Sequence, residues 1–390
     1  MKIKVIHIIT RLELGGAQQN TMFTAKNLDR EIFHPVLWSG PGGILTEEAS
    51  RGLKQDYQTV PHLFREVNPK NDLLALLELR KMLRREKSQS GEVIIVHTHS
   101  SKAGILGRIA SWLESAPVVI HSYHGFGFND FQPFPVRRAY VLAEKIAGSM
   151  TDGFIFVSRA NLEKARALKI GRPEQYRLIR SGIDISEFKR KAFDRAGKRA
   201  EMGVPEHCKL VCMVACFKPQ KSPLDFVRVA GRVAREVPEA YFVAAGDGEL
   251  RPEMESAIAE AGLSERVKLL GWRRDIPEIM WASDLLLLTS LWEGLPRVYP
   301  QAMAAQLAIV GTRVDGGAEA VREGENGCLL MPRDVEGMAA RAAELLKDDA
   351  RRQSMGKRGS ELVQEWDIHK MVADQEELYR GLLKEKKLWN

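Results

Sequence analysis

The stretch VIIVHTHSSKAGILGRIASWLESAPVVIHSYHG, residues 93–125, decides the fold. VIIVHTHS (93–100) and VVIHSYHG (118–125) are short apolar runs, too brief for helices and bounded by polar residues. Runs of that kind read as strands buried on both faces. Residues 102–114 between them have helical periodicity. Strand, helix and strand in so little chain make a βαβ unit, which requires parallel pairing.

The same alternation extends in both directions. KVIHIIT (4–10), HPVLWS (34–39) and FIFVS (154–158) are predicted strands, and 16–30, 70–88 and 136–150 predicted helices. The pattern restarts after about residue 190 with LVCMVAC (210–216), YFVAAG (241–246), VKLLG (267–271), LLLLTS (285–290) and AIVGT (308–312). A chain of 390 residues exceeds what one core usually supports. Two successive α/β units are therefore expected, 1–187 and 188–366. The boundary lies in the charged stretch FKRKAFDRAGKRAEMG (188–203), and a final helix starts near Ile368.

Composition excludes several classes. Hydrophobic residues make up 44% and charged residues 28%, an ordinary globular balance without repeats. The opening MKIKVIHIIT has too short an apolar run, broken by His7 and Thr10, for a signal peptide. No segment nears the roughly 20 apolar residues of a membrane span. A soluble, cytoplasmic protein is the expectation.

Four cysteines make no disulfide framework. Cys208, Cys212 and Cys216, spaced by four beside His207, could suggest a metal, but even spacing along a strand puts them on one buried face. The net charge of +7 is unevenly placed. Residues 1–180 hold 26 Lys/Arg against 17 Asp/Glu, or +9, while 181–390 hold 32 against 34, or −2. A basic first half suggests an anionic partner. An acidic membrane surface fits. Nucleic acid is not expected, because no binding motif or aromatic platform accompanies the basic residues.

Parallel sheets bind ligands at the carboxyl ends of their strands. The loop after the first strand, RLELGGAQQN, carries Gly15 and Gly16, which permit close backbone approach before a helix N-terminus. It contains no G-x-G-x-x-G, which argues against a dinucleotide dehydrogenase.

Seven motifs in order resemble those of retaining glycosyltransferase family 4. LGGAQ is similar to that family's N-terminal Gly-Gly loop, HGFGF to the loop with its active-site histidine, and RSGIDISEF to its domain-junction segment. FKPQKSP, AGDGELR, EGLPRVYPQAM and VDGGAEAV with ENGCLL resemble its donor-site signatures. The resemblance spans nearly the whole chain. It implies an α/β protein of the GT-B fold, with two Rossmann-like parallel-sheet domains facing each other across a cleft. The final helix, 367–390, would cross back to the first domain. An N-terminal acceptor domain and a C-terminal nucleotide-sugar domain follow.

The implied chemistry explains the residue types. Breaking the anomeric bond of a nucleotide-diphosphate sugar leaves charge on the diphosphate, which needs cations or helix N-termini. Sugar and ribose hydroxyls need acceptors. By resemblance, Lys221 meets the diphosphate and Glu293 holds donor-sugar hydroxyls. His124 stands beside the transferred sugar. Gly294, Leu295 and Pro296 form the turn that aims the N–H groups of Arg297 and Val298 at the phosphates. Gly15 and Gly16 complete the donor site, and Gly271, Trp272 and Arg273 border the base. His97 and His99 either line the cleft or are satisfied by neighbouring backbone.

Two departures matter. Cys216 replaces the family's arginine, and Gln301 replaces its second acid, the ribose ligand. Glutamine keeps an acceptor oxygen, so affinity is re-tuned rather than abolished. Arg297, at a usually apolar position, is the candidate for the missing cation, together with Lys218, and for pairing with a neighbouring carboxylate.

The implied function is front-face, metal-independent transfer of a hexose, most plausibly from a UDP-sugar, to a glycan or lipid-linked acceptor in cell-surface polysaccharide or glycolipid synthesis. The nucleotide sugar is a co-substrate, and no cofactor is expected. The aromatic, basic stretch FGFNDFQPFPVRRAY (126–140) suggests peripheral contact with the inner face of the plasma membrane. The rival reading is a weak or inactive nucleotide-sugar-binding scaffold.

Overall fold

The computed structural model describes residues 2–129, 132–189 and 192–389. Residues 130–131 of the aromatic stretch and 190–191 of the expected boundary lie outside these. In chain order, the first unit contains β1 (Ile3–Ile9), α1 (Gly16–Asn27), β2 (Phe33–Ser39), α2 (Thr46–Leu53), β3 (Tyr57–Thr59), α3 (Pro69–Ser90) and β4 (Val93–His99). It continues with α4 (Ser101–Leu113), β5 (Val118–Tyr123), α5 (Phe134–Gly148), β6 (Gly153–Phe156), α6 (Arg159–Leu168) and β7 (Tyr176–Leu178).

The second unit contains α7 (Ile185–Phe188), α8 (Arg195–Glu201), β8 (Lys209–Val214), α9 (Pro223–Glu236), β9 (Ala240–Ala245), α10 (Arg251–Glu260) and β10 (Val267–Gly271). Then come α11 (Ile276–Ala282), β11 (Leu285–Leu288), α12 (Val298–Ala304), β12 (Ala308–Thr312), α13 (Gly317–Ala320), β13 (Gly327–Leu330), α14 (Val335–Lys347) and α15 (Asp349–Leu362). The last helix, α16 (Ile368–Glu385), belongs to the first unit.

The first sheet has the order β3-β2-β1-β4-β5-β6-β7 and the second β10-β9-β8-β11-β12-β13. The strand pairs are parallel. Each is a Rossmann-like sheet whose chain reverses direction of growth once, between β1 and β4 and between β8 and β11. Those switch points open crevices at the strands' carboxyl ends, where such folds bind ligands.

Burial accounts for the elements. Ile3, Val5, Ile95, Val118 and Ile120 on one face of the first sheet pack with Ile368, Met371, Leu378, Leu382 and Leu383 of α16. That apolar stripe holds the chain's end in the first unit. In the second unit Val211, Met213, Phe242 and Leu287 pack with Phe226 and Val233 of α9 and Leu345 and Leu346 of α14.

The units divide at Gly182, not at 187, and the second ends at Asp367. The physical reason is local. Ile183 N–H donates to Trp366 O at 2.8 Å, and Phe188 O accepts from Trp281 Nε1 at 2.9 Å. Residues 183–187 are thus tied into the second unit.

Candidate active site

At the second unit's switch point, the loops after β8 and β11 are bonded to each other. Leu291 N–H donates to Gln220 O at 2.8 Å, and the Thr289 hydroxyl donates to Lys221 O at 3.0 Å and Ser222 O at 2.9 Å. The Thr312 hydroxyl holds Ser290 O at 2.6 Å. This lattice brings Lys221 and Glu293 together. Lys221 Nζ donates to Glu293 Oε1, which also accepts from Ser290 Oγ at 2.7 Å. Gln220 Nε2 donates to Trp292 O at 2.9 Å and stands 3.5 Å from Glu293 Oε2.

Glu293 is only 7% exposed, so its charge is desolvated except for these partners. An ammonium carries three donors, and the carboxylate's Oε2 has only a long contact. The pair can therefore offer cationic donors to an anion and an acceptor oxygen to a hydroxyl at once.

The Gly294–Leu295–Pro296 turn is buried and fixed from above by Gly316 N–H, which donates to Gly294 O at 3.1 Å. Arg297 is the N-cap of α12 and Val298 its first residue. The helix ladder starts only with Gln301 N–H to Arg297 O at 3.1 Å, so the N–H groups of Arg297 and Val298 precede it. Burial pushes the Arg297 guanidinium down to about 10, and the charge of Glu187 in α7 works against that shift. Gln301 lies one turn along α12, partly exposed, and among the described residues its side chain is not part of the Lys221–Glu293 network.

Beside this site the loop after β8 packs on the turn after β9. Phe217 N–H donates to Asp247 O at 2.9 Å. Gly246 has φ +142, and a Cβ there would fall 1.9 Å from Ala215 O, so only glycine fits. Gly246 N–H in turn donates to Gly271 O at 2.8 Å. Trp272 is 43% exposed and offers a ring face. Arg273, by contrast, is committed to structure. It donates to Asp275 at 2.7 and 2.5 Å and pairs with Glu201, while Lys198 binds Asp275 at 2.8 Å. Those cations hold the Asp275 carboxyl far below its ordinary range.

At the first unit's switch point, Gly15 is the extended N-cap of α1 and Gly16 its first residue. Thr10 and Ser100 join the loops after β1 and β4 through their hydroxyls, 2.7 Å apart. Beneath them is a layer of histidines on one sheet face. His7 and His97 are register partners, and His99 lies two residues on. His7 Nδ1 is 3.1 Å from His99 Nε2, and His99 Nδ1 is 3.1 Å from His124 Nε2. His97 is held between Tyr379 OH of α16 at 2.6 Å and Ser122 Oγ at 2.8 Å.

Burial pushes His7 down to about 3, and His97, His99 and His121 well below their ordinary value. His7, His97 and His99 place ligand nitrogens within 4.8 Å of one another. However, Tyr379 and Ser122 occupy both nitrogens of His97, which leaves that ring none to offer a metal. His97 and His99 are thus satisfied by neighbouring side chains. His7 and Tyr379 were missed, since a polar residue inside an apolar strand or amphipathic helix carries no sign of its partner. The three cysteines do not share one buried strand face as expected: only Cys212 lies within β8, whereas Cys208 precedes the strand and Cys216, half-buried, follows it. Cys212 is fully buried, its thiol pushed up to about 12, and no cysteine joins a metal-capable group among the described residues.

Comparison with known proteins adds an independent line. Residues 14–187 match the family described as Glycosyltransferase Family 4, and residues 194–362 the family described as Glycosyl transferases group 1. The chain is 32% identical over 338 residues, 86% of each sequence, to an Escherichia coli UDP-Gal:alpha-D-GlcNAc-diphosphoundecaprenol alpha-1,3-galactosyltransferase. It is 25% identical over 256 residues, 65% of this chain and 70% of the other, to the Rhizobium meliloti lipopolysaccharide core biosynthesis glycosyltransferase LpsE. Anabaena HepE, solved in complex with UDP and glucose, superposes with a TM-score of 0.82 at 21% identity over 97% of this chain and 99% of that one. That last likeness is one of fold, the GT-B architecture.

Proposed function

The chain belongs to glycosyltransferase family 4, and from that membership we propose that it moves a hexose from a UDP-sugar to a glycan or lipid-linked acceptor, with retention and without a metal. The observation that carries this reading is the Lys221–Glu293 pair at the second unit's switch point. Lys221 offers its remaining N–H donors to the diphosphate, together with the N–H groups of Arg297 and Val298. Glu293 accepts from donor-sugar hydroxyls. Trp272 borders the base, with Gly271 in the turn beside it, and Gln301 accepts from the ribose.

In the transfer step the anomeric carbon–phosphate oxygen bond breaks as the acceptor oxygen attacks the same face. The acceptor's proton goes to the departing phosphate oxygen. No residue forms a covalent bond, so positioning and charge stabilisation carry the rate. His124 in the first unit hydrogen-bonds groups beside the transferred sugar. The experiment is transfer from a panel of nucleotide sugars with and without chelator, reading the product anomer by NMR. Inverted product, or loss of activity on chelation, rejects this mechanism.

An acceptor in a membrane fits α5. Phe134, Val136, Leu142 and Ile146 on this helix are exposed, Phe134 by 65% and Leu142 by 59%. Arg138 lies 4.8 Å over the Phe134 ring, and Lys145 is also exposed. The helix's one acid, Glu144, is buried on its inner face. An outer face of apolar and cationic groups suits an anionic lipid surface. No helix among the described residues is long and apolar enough to cross a membrane. Peripheral attachment at the cytoplasmic face is the corresponding location.

A further inference from the structure

We infer that Ser222 and Thr289 are positioning residues, a strained turn and the clamp on it, that hold the Lys221 ammonium on Glu293 before any nucleotide arrives. The inference deepens the role proposed for Lys221 and rests on that reading.

Ser222 joins a 3-10 turn, Pro219–Lys221, to α9 and has φ +43 and ψ 55. Residues other than glycine avoid that left-handed region, because Cβ crowds the next carbonyl oxygen. Pro223 adds a second objection, since its ring pushes the residue before it toward extended backbone. Without restraint Ser222 would extend, and the turn that ends in Lys221 would swing away from the loop after β11. Backbone strain of this kind persists only where the surroundings over-determine it, and it clusters at functional sites.

The restraints come from both loops. Ser222 N–H donates to Pro219 O at 3.1 Å, and Ser222 O accepts from Asp225 N–H at 3.0 Å. Ser222 Oγ donates to Asp225 Oδ2 at 2.6 Å, while Arg228 holds Asp225 Oδ1 at 2.7 Å. From the other loop, the Thr289 hydroxyl shares its one proton between Lys221 O at 3.0 Å and Ser222 O at 2.9 Å. Thr289 is 1% exposed, so bulk water does not substitute for that hydroxyl.

The purpose of the arrangement lies one residue back. A lysine ammonium rides on a flexible four-carbon stem and is placed only as well as its backbone is. Lys221 is pinned on both sides, its N–H to Lys218 O at 2.9 Å and its carbonyl to Thr289. Glu293 follows Thr289 in the same loop, so one segment grips the Lys221 backbone and receives its ammonium. The pair is set by folding rather than by the ligand, which lowers the ordering cost of binding a diphosphate. Ser222 does not serve as a donor to the ligand, because its hydroxyl proton goes to Asp225.

The test is calorimetric titration of UDP and of uridine into variants of the full chain. Thr289→Val keeps the side chain's shape and removes the hydroxyl, and Thr289→Ser keeps the hydroxyl. UDP affinity should fall about tenfold in Thr289→Val and be rescued in Thr289→Ser, with uridine bound alike by both. In a Lys221→Met background Thr289→Val should cause no further loss, because it acts through that ammonium. Additive losses overturn the inference, and so does a loss of uridine binding in Thr289→Val, which would assign Thr289 to the fold alone. At position 222 the order should follow conformation. Ser222→Gly and Ser222→Asn accept the left-handed region and retain UDP binding, whereas the β-branched Ser222→Val loses it. Equal UDP affinity in the glycine and valine variants contradicts the role of the strained turn. A nucleotide-free measurement separates this inference from the donor site. The NMR signal of the Lys221 ammonium, assigned by its loss in Lys221→Met, should be protected from water exchange in the wild type and not in Thr289→Val. An unchanged signal overturns the clamp whether or not a nucleotide binds. A signal that behaves as expected in a protein that binds no nucleotide rejects the donor site, not the clamp.

Discussion

At the scale of the residue, the site is defined by where charge is desolvated. Arg297 is a cation in surroundings that lower its pKa to about 10, which marks it for an anionic ligand. Replacing it by alanine should weaken UDP-sugar binding about tenfold while leaving uridine binding unchanged, measured by calorimetry. Equal affinity for the UDP-sugar in both proteins removes Arg297 from the phosphate site. The buried histidines give a pH signature. Their folded pKa values lie below the ordinary 6.5, so the unfolded chain binds more protons as pH falls beneath that value. Stability is full above about pH 6.5 and is lost toward pH 3, by up to about 1.4 kcal/mol per pH unit for each histidine. Denaturant titrations at pH 7 and pH 5 should show this loss, and His7→Phe should reduce it. Lys221, Glu293 and His124 were singled out because their motifs resemble those of the family, and the structure brings the first two together. Their partners were not legible. The Lys221–Glu293 bond joins loops 72 positions apart, and nothing local in either loop announces it.

At the scale of the element, strands buried on both faces were legible, and three of the four edge strands were not. The strands missing from the sequence reading, β3, β7 and β13, have three or four residues each and lie at sheet edges. Their burial on fewer sides leaves no long apolar run. The long helices α1, α3, α4 and α5 of the first unit were read to within a few residues. Helix α5 is instructive in both directions. Its inner face is tied by Glu144 Oε2, which accepts from Arg108 of α4 and from the Tyr123 hydroxyl, both at 2.6 Å. Arg108 is fully buried. Glu144→Ala strands that charge and should cost about 3–5 kcal/mol, seen as a fall in the denaturant midpoint. Its outer face should bind vesicles containing anionic phosphatidylglycerol. Phe134→Asp with Leu142→Asp is expected to abolish sedimentation with them at unchanged stability. Binding unaltered by that double change would move the membrane contact elsewhere.

At the scale of the whole molecule, the two α/β units follow from alternation alone, and the family from motif order. The last helix returns to the first unit because its apolar stripe completes that unit's core, and it brings Tyr379 to His97. The unit boundary was placed late because charged residues mark a junction only loosely, whereas the backbone bond from Ile183 to Trp366 fixes it. Cys216 and Gln301 depart from the family's pattern, while Lys221 and Glu293 of the same pattern are bonded to each other. The most direct measurement is calorimetric titration of a UDP-sugar panel into the wild-type protein and Lys221→Met. The expected result is saturable binding of one donor, weakened at least about tenfold by Lys221→Met while uridine binds both alike. Failure of every nucleotide sugar to bind the folded wild type, or identical donor affinity in the variant, contradicts the assignment of Lys221 and Glu293 to a nucleotide-sugar site.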